Sequence, residues 1–323
     1  MCTAVAYRTK DHYFGRNLDY ERGYQETVTI TPRNFVLPFR RLAPMEHHYA
    51  MIGMATVSSG YPLYYDGTNE YGLSMAGLNF PHSAKYMPEM PGKDNVTPFE
   101  LIPWLLGSCK STCEAKDKLK NVNVVDIPFS NEFPLTPLHW ILTDRNSTIT
   151  IEQTEDGLHV YDNPVGILTN EPPFPFHMKN LQNYLHVSNE EAVNRFAPSL
   201  PLKAYSRGMG GIGLPGDLSS ASRFVKAAFT TLNSVSKDAE SASISQVFHN
   251  LGSVAQQQGC VKVGQVYEKT IYTSCCNTTK GIYYYTTYEN SQITGVRLHG
   301  VNLDTNKLFC YPLVKGQQIR MEN

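Results

Sequence analysis

The sequence predicts an α+β protein, with helices segregated onto the outside of mostly antiparallel sheets. Strand-like and helix-like segments come in blocks and do not alternate one for one. The helical blocks lie between strand blocks, so the sheets must be assembled from distant segments. No internal repeat, low-complexity tract or linker divides the 323 residues, so a single domain over residues 1–323 is expected.

The first 80 residues carry the strand signals. Thr3 to Thr9, His12 to Arg16, Glu26 to Thr31, His48 to Val57 and Gly72 to Asn79 each have β-type composition bounded by turn residues. Helix signals follow. Thr97-Pro98-Phe99-Glu100 reads as a capping box with Pro at the first helical position, ahead of the apolar run LIPWLL. Pro103 falls in the first turns of that helix, where it can kink it. Ser111-Thr112-Cys113-Glu114 reads as a second capping box, opening a helix to about Asn121. Strands return from His139 to Asn170, divided into hairpins by Asp144-Arg145-Asn146 and Glu155-Asp156-Gly157. The Pro- and Gly-rich stretch from Glu171 to Gly216 is expected to be loops. Two helices follow, with Val225, Ala228, Phe229 and Leu232 on one apolar face and Ile244, Val247, Phe248 and Leu251 on the other. The segments KTIYTSCC, GIYYYTTY and SQITGVRL close the chain as strands.

Composition removes several function classes. Hydrophobic residues make up 41% and charged residues 18%, a balance that supports a packed core. The net charge is −1 and no basic block follows a phosphate backbone, so nucleic acid is not an expected partner. The N-terminus lacks a signal-type apolar core, and the most apolar helical stretch, Pro98 to Cys109, is too short to span a bilayer. A cytoplasmic protein without membrane association is the expectation. The seven cysteines are an odd number with no export signal, which argues against a disulfide framework. Cys109 and Cys113 lack a second Cys or His pair at metal-finger spacing, so no metal site is expected.

The second residue holds the strongest chemistry. Removal of Met1 would leave Cys2 with a thiol and a free α-amino group, of ordinary pKa roughly 8.5 and roughly 7.7–8.0. One residue then supplies a nucleophile and a base matched to neutral pH. A Cys after Met is also a common accident of sequence, and Phe14-Gly15-Arg16-Asn17-Leu18-Asp19 is what changes its standing. If Thr3 to Thr9 pairs with His12 to Arg16 as a hairpin, the chain end lies beside Arg16 and Asp19. A thiolate needs a nearby cation, and an ammonium needs a carboxylate; a surface Arg–Asp pair would look the same in sequence. Asn79 and Asn170 end strand segments, where a carboxamide can serve an oxyanion or merely cap a turn. Arg223 falls in the opening turn of a helix capped by Ser219 or Ser220, where the macrodipole disfavours a cation. A residue that breaks a local rule is a functional candidate.

Taken together, MCTAVAY, YFGRNLDY, VTITPRNF, NEYGLSMAGLNFP, TPFELIPWLLG, LHWILTDR, YDNPVGILTN, GIGLPGDLSSASRF and YTSCCNTTKGIYYYTTYENSQI resemble the choloylglycine hydrolase family of bile salt hydrolases and penicillin V acylases. The resemblance spans nearly the whole chain, with the motifs in order. It implies an N-terminal nucleophile fold, a four-layer αββα sandwich, assembled as a homotetramer in the cytoplasm. It implies that Cys2 is the nucleophile and its amino group the base, that Arg16 and Asp19 flank it, that Asn79 and Asn170 serve the oxyanion, and that Arg223 completes the charged cluster. Asn at position 79 sides with the bile salt hydrolases, since penicillin V acylases commonly carry Tyr there.

The loop Asp126 to Pro134 corresponds to a family loop lining the steroid site, which presents Phe129 and Phe133 here. Leu18 and the Tyr61-Pro62-Leu63-Tyr64 segment, Tyr61 above all, are expected as further apolar contacts, and Arg207, in the loop Tyr205 to Gly210, as a partner for the anion of the leaving group. The implied reaction is hydrolysis of the amide joining a bile acid to glycine or taurine, without metal or organic cofactor. Penicillin V acylase activity on the same machinery is the nearest alternative. A non-catalytic steroid-binding protein with an inert Cys2 is the alternative of another class.

Overall fold

A computed structural model describes all 323 residues. The hairpin expected at the start is present and longer than the sequence pattern indicated. Cys2–Arg8 pairs antiparallel with His12–Tyr20, setting Cys2 opposite Leu18 and Ala4 opposite Arg16. Both strands are buried along nearly their whole length, as strands are when both faces of their sheet are covered.

These two strands lie within a seven-stranded sheet in the order Ile167–Leu168, Cys2–Arg8, His12–Tyr20, Val266–Asn277, Ile282–Thr287 and Asn290–Arg297, with Val261–Val263 added against Val266–Asn277. The second sheet has eight strands: Gly157–Asp162, Thr148–Thr154, Leu138–Thr143, Ser74–Asn79, Tyr61–Asn69, Met51–Ser58, Thr27–Thr31 and Phe309–Pro312. Every pairing in both is antiparallel. A parallel strand pair, Asp94–Val96 with Val122–Val124, stands apart, with a parallel bridge between Met87 and Val125 next to it.

The helices are α1 (Leu101–Ser108), α2 (Thr112–Leu119), α3 (Phe174–Asn180), α4 (Ser220–Asn233) and α5 (Glu240–Gly252). One core joins the two sheets to α4 and α5, combining Ala4, Phe14 and Cys275 with Ile30, Ile52 and Leu78 and with Phe224, Val247 and Leu251. A second core packs α1 and α2 on the other face of the eight-stranded sheet, through Leu105, Leu106 and Leu119 against Met75, Trp140 and Ile151. The layers therefore run helix, sheet, sheet, helix, the αββα sandwich of the N-terminal nucleophile hydrolases.

Local chemistry explains several helix boundaries. Ser111 caps α2, accepting from the Glu114 N–H at 3.2 Å. The box at Thr97 is half formed: the Glu100 carboxylate accepts from the Thr97 N–H at 3.0 Å, but α1 begins only at Leu101. Pro103 is accommodated inside α1, within its first turn, where its nitrogen would have no helical partner. One expectation fails, and one strand was not expected at all. Glu171 to Gly216 is not all loop, because Pro173 precedes α3 and Pro175 falls in its first turn, where proline costs no hydrogen bond. Tyr61–Asn69 is a central strand that the alternation test passes over, because a bulge at Tyr65 breaks its period.

Candidate active site

Cys2 sits at the head of the strand next to one edge of the seven-stranded sheet, 4% exposed, in the layer between the sheets. The register that places Ala4 opposite Arg16 brings the Arg16 guanidinium back along the hairpin to the thiol, and Arg16 Nη2 lies 2.7 Å from Cys2 Sγ. The same guanidinium donates through Nη1 to the carbonyls of Tyr65, at 3.0 Å, and Gly77, at 2.8 Å. Its position is therefore fixed by backbone from the opposite sheet. Burial on its own would lower the Arg16 pKa, but Cys2, Tyr272, Asp66 and Tyr283 outweigh it and the net direction is upward. Arg16 is a permanent cation in contact with the sulfur.

The nitrogen of Cys2 is held from the other side. It donates to Asn170 Oδ1 at 2.9 Å, and that oxygen also accepts from Arg223 Nη2 at 2.7 Å. Asn170 Nδ2 donates to the Asn79 carbonyl at 2.7 Å, and the Asn170 N–H donates to Ser220 Oγ at 2.8 Å. Arg223 bonds the Cys2 carbonyl, Thr3 Oγ1 at 2.7 Å and the Leu218 carbonyl at 3.0 Å. Those acceptors, with the Asn170 oxygen, compensate for a cation in the first turn of α4. Burial lowers the Arg223 pKa, opposed by Asp19 and Cys2. The Asp19 carboxyl is pushed up by burial, against the pull of Arg223, the N-terminus, Thr270 and Arg16. Its Oδ1 accepts from Thr270 at 2.6 Å, and its Oδ2 is buried without a partner. The Met1 ammonium bonds the Asp19 carbonyl, at 2.7 Å, and the buried Glu268 carboxylate.

An apolar cleft opens beside this cluster. Phe99, Phe129, Phe133, Leu135 and Leu138 line it, together with Tyr65 and Gly77, the two residues whose carbonyls bind Arg16. Nucleophile and cleft thus share a wall.

Residues 2–311 match the linear amide C–N hydrolases, choloylglycine hydrolase family. The chain belongs to that family. Two choloylglycine hydrolase relatives called bile salt hydrolase/transferase align over almost the full length: that of Lactiplantibacillus plantarum is 54% identical over 97% of both chains, and that of Clostridium perfringens 39% identical over 100% of both. The crystal structure of a mutant conjugated bile acid hydrolase from Clostridium perfringens superposes with a TM-score of 0.92 at 37% identity, covering 100% of both chains. Penicillin V acylase from Agrobacterium tumefaciens shares the fold, with a TM-score of 0.75 at 17% identity over 95% of this chain and 90% of that one. The chain is an enzyme of the choloylglycine hydrolase family, in agreement with the resemblance read from its motifs.

Among the residues expected in the site, Cys2, Arg16, Asp19, Asn170 and Arg223 form one buried cluster, and Asn79 joins it through its carbonyl. The Asn79 carboxamide makes no hydrogen bond within the chain, and the residue is half-buried. Phe129 and Phe133 line the cleft. Of the Tyr61 to Tyr64 segment, Leu63 and Tyr64 line the cleft, whereas Tyr61 buttresses it, with its ring 5.7 Å from that of Phe129 and 5.9 Å from that of Phe99. Leu18, paired with Cys2, is part of the inter-sheet core and not of the cleft wall. Arg207 is exposed and makes no hydrogen bond or ion pair.

Sequence reasoning missed Ser220, Glu268 and Asp66. Asp66 had a usable signal, a lone carboxylate inside the apolar strand YPLYYDGTN. Glu268 had none, since nothing local distinguishes it from a surface residue, and Ser220 showed only as a candidate helix cap, a role that Ser219 takes.

Proposed function

We propose that the protein hydrolyses the amide bond of glycine- or taurine-conjugated bile acids through Cys2, once Met1 has been removed. The observation that carries this reading is Arg16, which binds the Cys2 sulfur and two carbonyls of the apolar cleft with one guanidinium. A steroid body in that cleft would present its side-chain amide to the thiol.

In the processed chain the Cys2 nitrogen becomes an α-amine, with Asn170 Oδ1 as acceptor and the open Asp19 Oδ2 nearby as counter-charge. The amine takes the thiol proton, and the thiolate, stabilised by Arg16, attacks the amide carbon. The carbonyl oxygen becomes an oxyanion, served by the unpartnered Asn79 carboxamide and the second hydrogen of Asn170 Nδ2. The C–N bond breaks as the ammonium returns its proton to the leaving amine. Water, deprotonated by the same α-amine, then cleaves the thioester and releases the bile acid. Arg207, free of internal partners, meets the terminal anion of the leaving group. Its planar fork suits the three oxygens of a sulfonate, which favours the taurine conjugate.

We take the whole chain as one domain, because its main core draws on residues from Cys2 to Leu303. A homotetramer is supported by the exposed apolar side chains of Leu185, Val193, Phe196, Leu202 and Ile212. No helix is long and apolar enough to cross a membrane, and cytoplasmic action on a dissolved substrate fits that.

The test is amine release from glycocholate and taurocholate beside turnover of penicillin V, with the N-terminus verified by intact mass. Conjugated bile acids should be cleaved with the higher kcat/KM. Faster penicillin V turnover would reassign the chain to the acylase branch, and no turnover of either would leave the steroid-binding alternative.

A further inference from the structure

A second buried carboxylate lies close to Arg16, and the reaction above does not use it. Asp66 is 2% exposed, with Oδ1 accepting from the Tyr283 hydroxyl and Oδ2 from the Tyr272 hydroxyl, both at 2.7 Å. An ionised carboxylate only accepts, so both phenols must donate. The tyrosines belong to the seven-stranded sheet and Asp66 to the eight-stranded one, so this triad spans the same inter-sheet layer as the nucleophile.

The local backbone is shaped for the placement. In the pairing of Met51–Ser58 with Tyr61–Asn69, Met54 faces Asp66 and Ala55 faces Tyr64, leaving Tyr65 as a bulge whose carbonyl receives Arg16 Nη1. Gly53 permits the close approach, because a Cβ there would fall 2.0 Å from the Asp66 carbonyl oxygen. The seven-stranded sheet has its own irregularity between Thr270 and Tyr272, beside the tyrosine that reaches Asp66.

We propose that Asp66, held by Tyr272 and Tyr283, is the counter-charge to Arg16 and sets how strongly that guanidinium stabilises the Cys2 thiolate. It is a positioning residue, acting through Arg16 and never touching substrate. The charges facing this part of the layer are Arg16, Arg223, Asp19, Asp66 and the Cys2 thiol and amine, with Glu268 at the N-terminus. With Asp66 ionised, the two guanidiniums are matched by two carboxylates. Burial pushes the Asp66 carboxyl up, while Arg16, the two tyrosines and the Met54 N–H pull it back toward the charged form. Without Asp66, Arg16 would face the sulfur with one fewer competitor.

The inference rests on Cys2 being the nucleophile, and its test reads the thiol directly, whatever the substrate. Iodoacetamide labelling of Cys2, followed by peptide mass across pH on processed protein, gives the midpoint of thiol ionisation. Asp66→Asn should move that midpoint down by about one pH unit, the low end for loss of a nearby like charge. The acid limb of kcat/KM for hydrolysis should move the same way. Tyr283→Phe keeps the packing and removes one donor to the carboxylate, so it should give a smaller shift of the same sign. A purely structural Asp66 would reduce the yield of active protein and leave the midpoint in place. An unmoved or raised midpoint in folded Asp66→Asn overturns the proposal. If that variant does not fold, an unmoved midpoint in Tyr283→Phe does so. Absence of bile acid hydrolysis with a shifted midpoint would sink the proposed substrate and leave this inference standing.

Discussion

Replacing Asn170 by Ala tests the site where most of its bonds converge. The change removes the acceptor for the Cys2 nitrogen at 2.9 Å, the acceptor for Arg223 at 2.7 Å and the donor to the Asn79 carbonyl at 2.7 Å. Two neutral hydrogen bonds at about 1 kcal/mol each, and one to a charged donor at about 1.5–3 kcal/mol, put the lost stability at roughly 3.5–5 kcal/mol. For a chain of this size that lowers Tm by roughly 5–10 °C, which differential scanning calorimetry would read. The catalytic loss should be larger in proportion. The nucleophile's own nitrogen loses its orientation and the oxyanion loses a donor, so kcat should fall by roughly 10²–10³-fold. KM should change much less, because Asn170 does not line the apolar cleft. The assay is amine release from glycocholate by folded, processed variant. A kcat within about threefold of wild type would refute the reasoning about the Cys2 nitrogen. An unchanged kcat with a raised KM would move Asn170 into substrate binding.

Phe129→Ala should raise KM for a conjugated bile acid roughly tenfold, the equivalent of about 1.4 kcal/mol, with kcat within a few-fold of wild type. An unchanged KM would remove the cleft from acyl recognition. Acid stability should depend on His12, which burial lowers to about 3. The unfolded chain takes up that proton near pH ~6.5 and the folded chain only near the lowered value. Stability is therefore complete above the unfolded value and lost as pH falls from about 6.5, at up to roughly 1.4 kcal/mol per pH unit. His12→Gln should flatten urea-denaturation stability against pH in this window, and an unaltered slope would contradict the assignment.

Much of the site was legible because it is built on local sequence. The hairpin through Lys10 and Asp11 follows from β-type segments with a polar turn, and its register carries Arg16 and Asp19 to Cys2 without any long-range information. Arg223 announced itself by breaking the dipole rule in a well-capped helix, and the structure supplies the acceptors that compensate. What stayed hidden depends on tertiary context. Tyr61–Asn69 loses its alternation at the Tyr65 bulge, and that bulge exists to meet Arg16 from the other sheet. The α3 helix was obscured by prolines whose meaning depends on helical position: Pro175 is a breaker in an interior and neutral in a first turn. Asp66 shows as an oddity in an apolar strand, but its partners Tyr272 and Tyr283 come from more than two hundred residues away. Leu18 shares the nucleophile's face of its sheet through its pairing with Cys2, but it packs into the inter-sheet core there and not into the cleft wall, a distinction set by the opposite sheet and not by strand alternation.

Catalysis requires a free amino group at Cys2. In the unprocessed chain that nitrogen is an amide, and the Met1 ammonium is instead tied to Glu268 and the Asp19 carbonyl. The lone pair of an amide nitrogen is delocalised into its carbonyl, so it cannot take the thiol proton. The decisive measurement compares glycocholate hydrolysis by two preparations of known intact mass, one beginning at Cys2 and one quantitatively retaining Met1, with Cys2→Ala as the blank. The protein beginning at Cys2 should turn over, while the Met1-bearing protein should fall to the level of Cys2→Ala. Equal turnover by both preparations would contradict the mechanism.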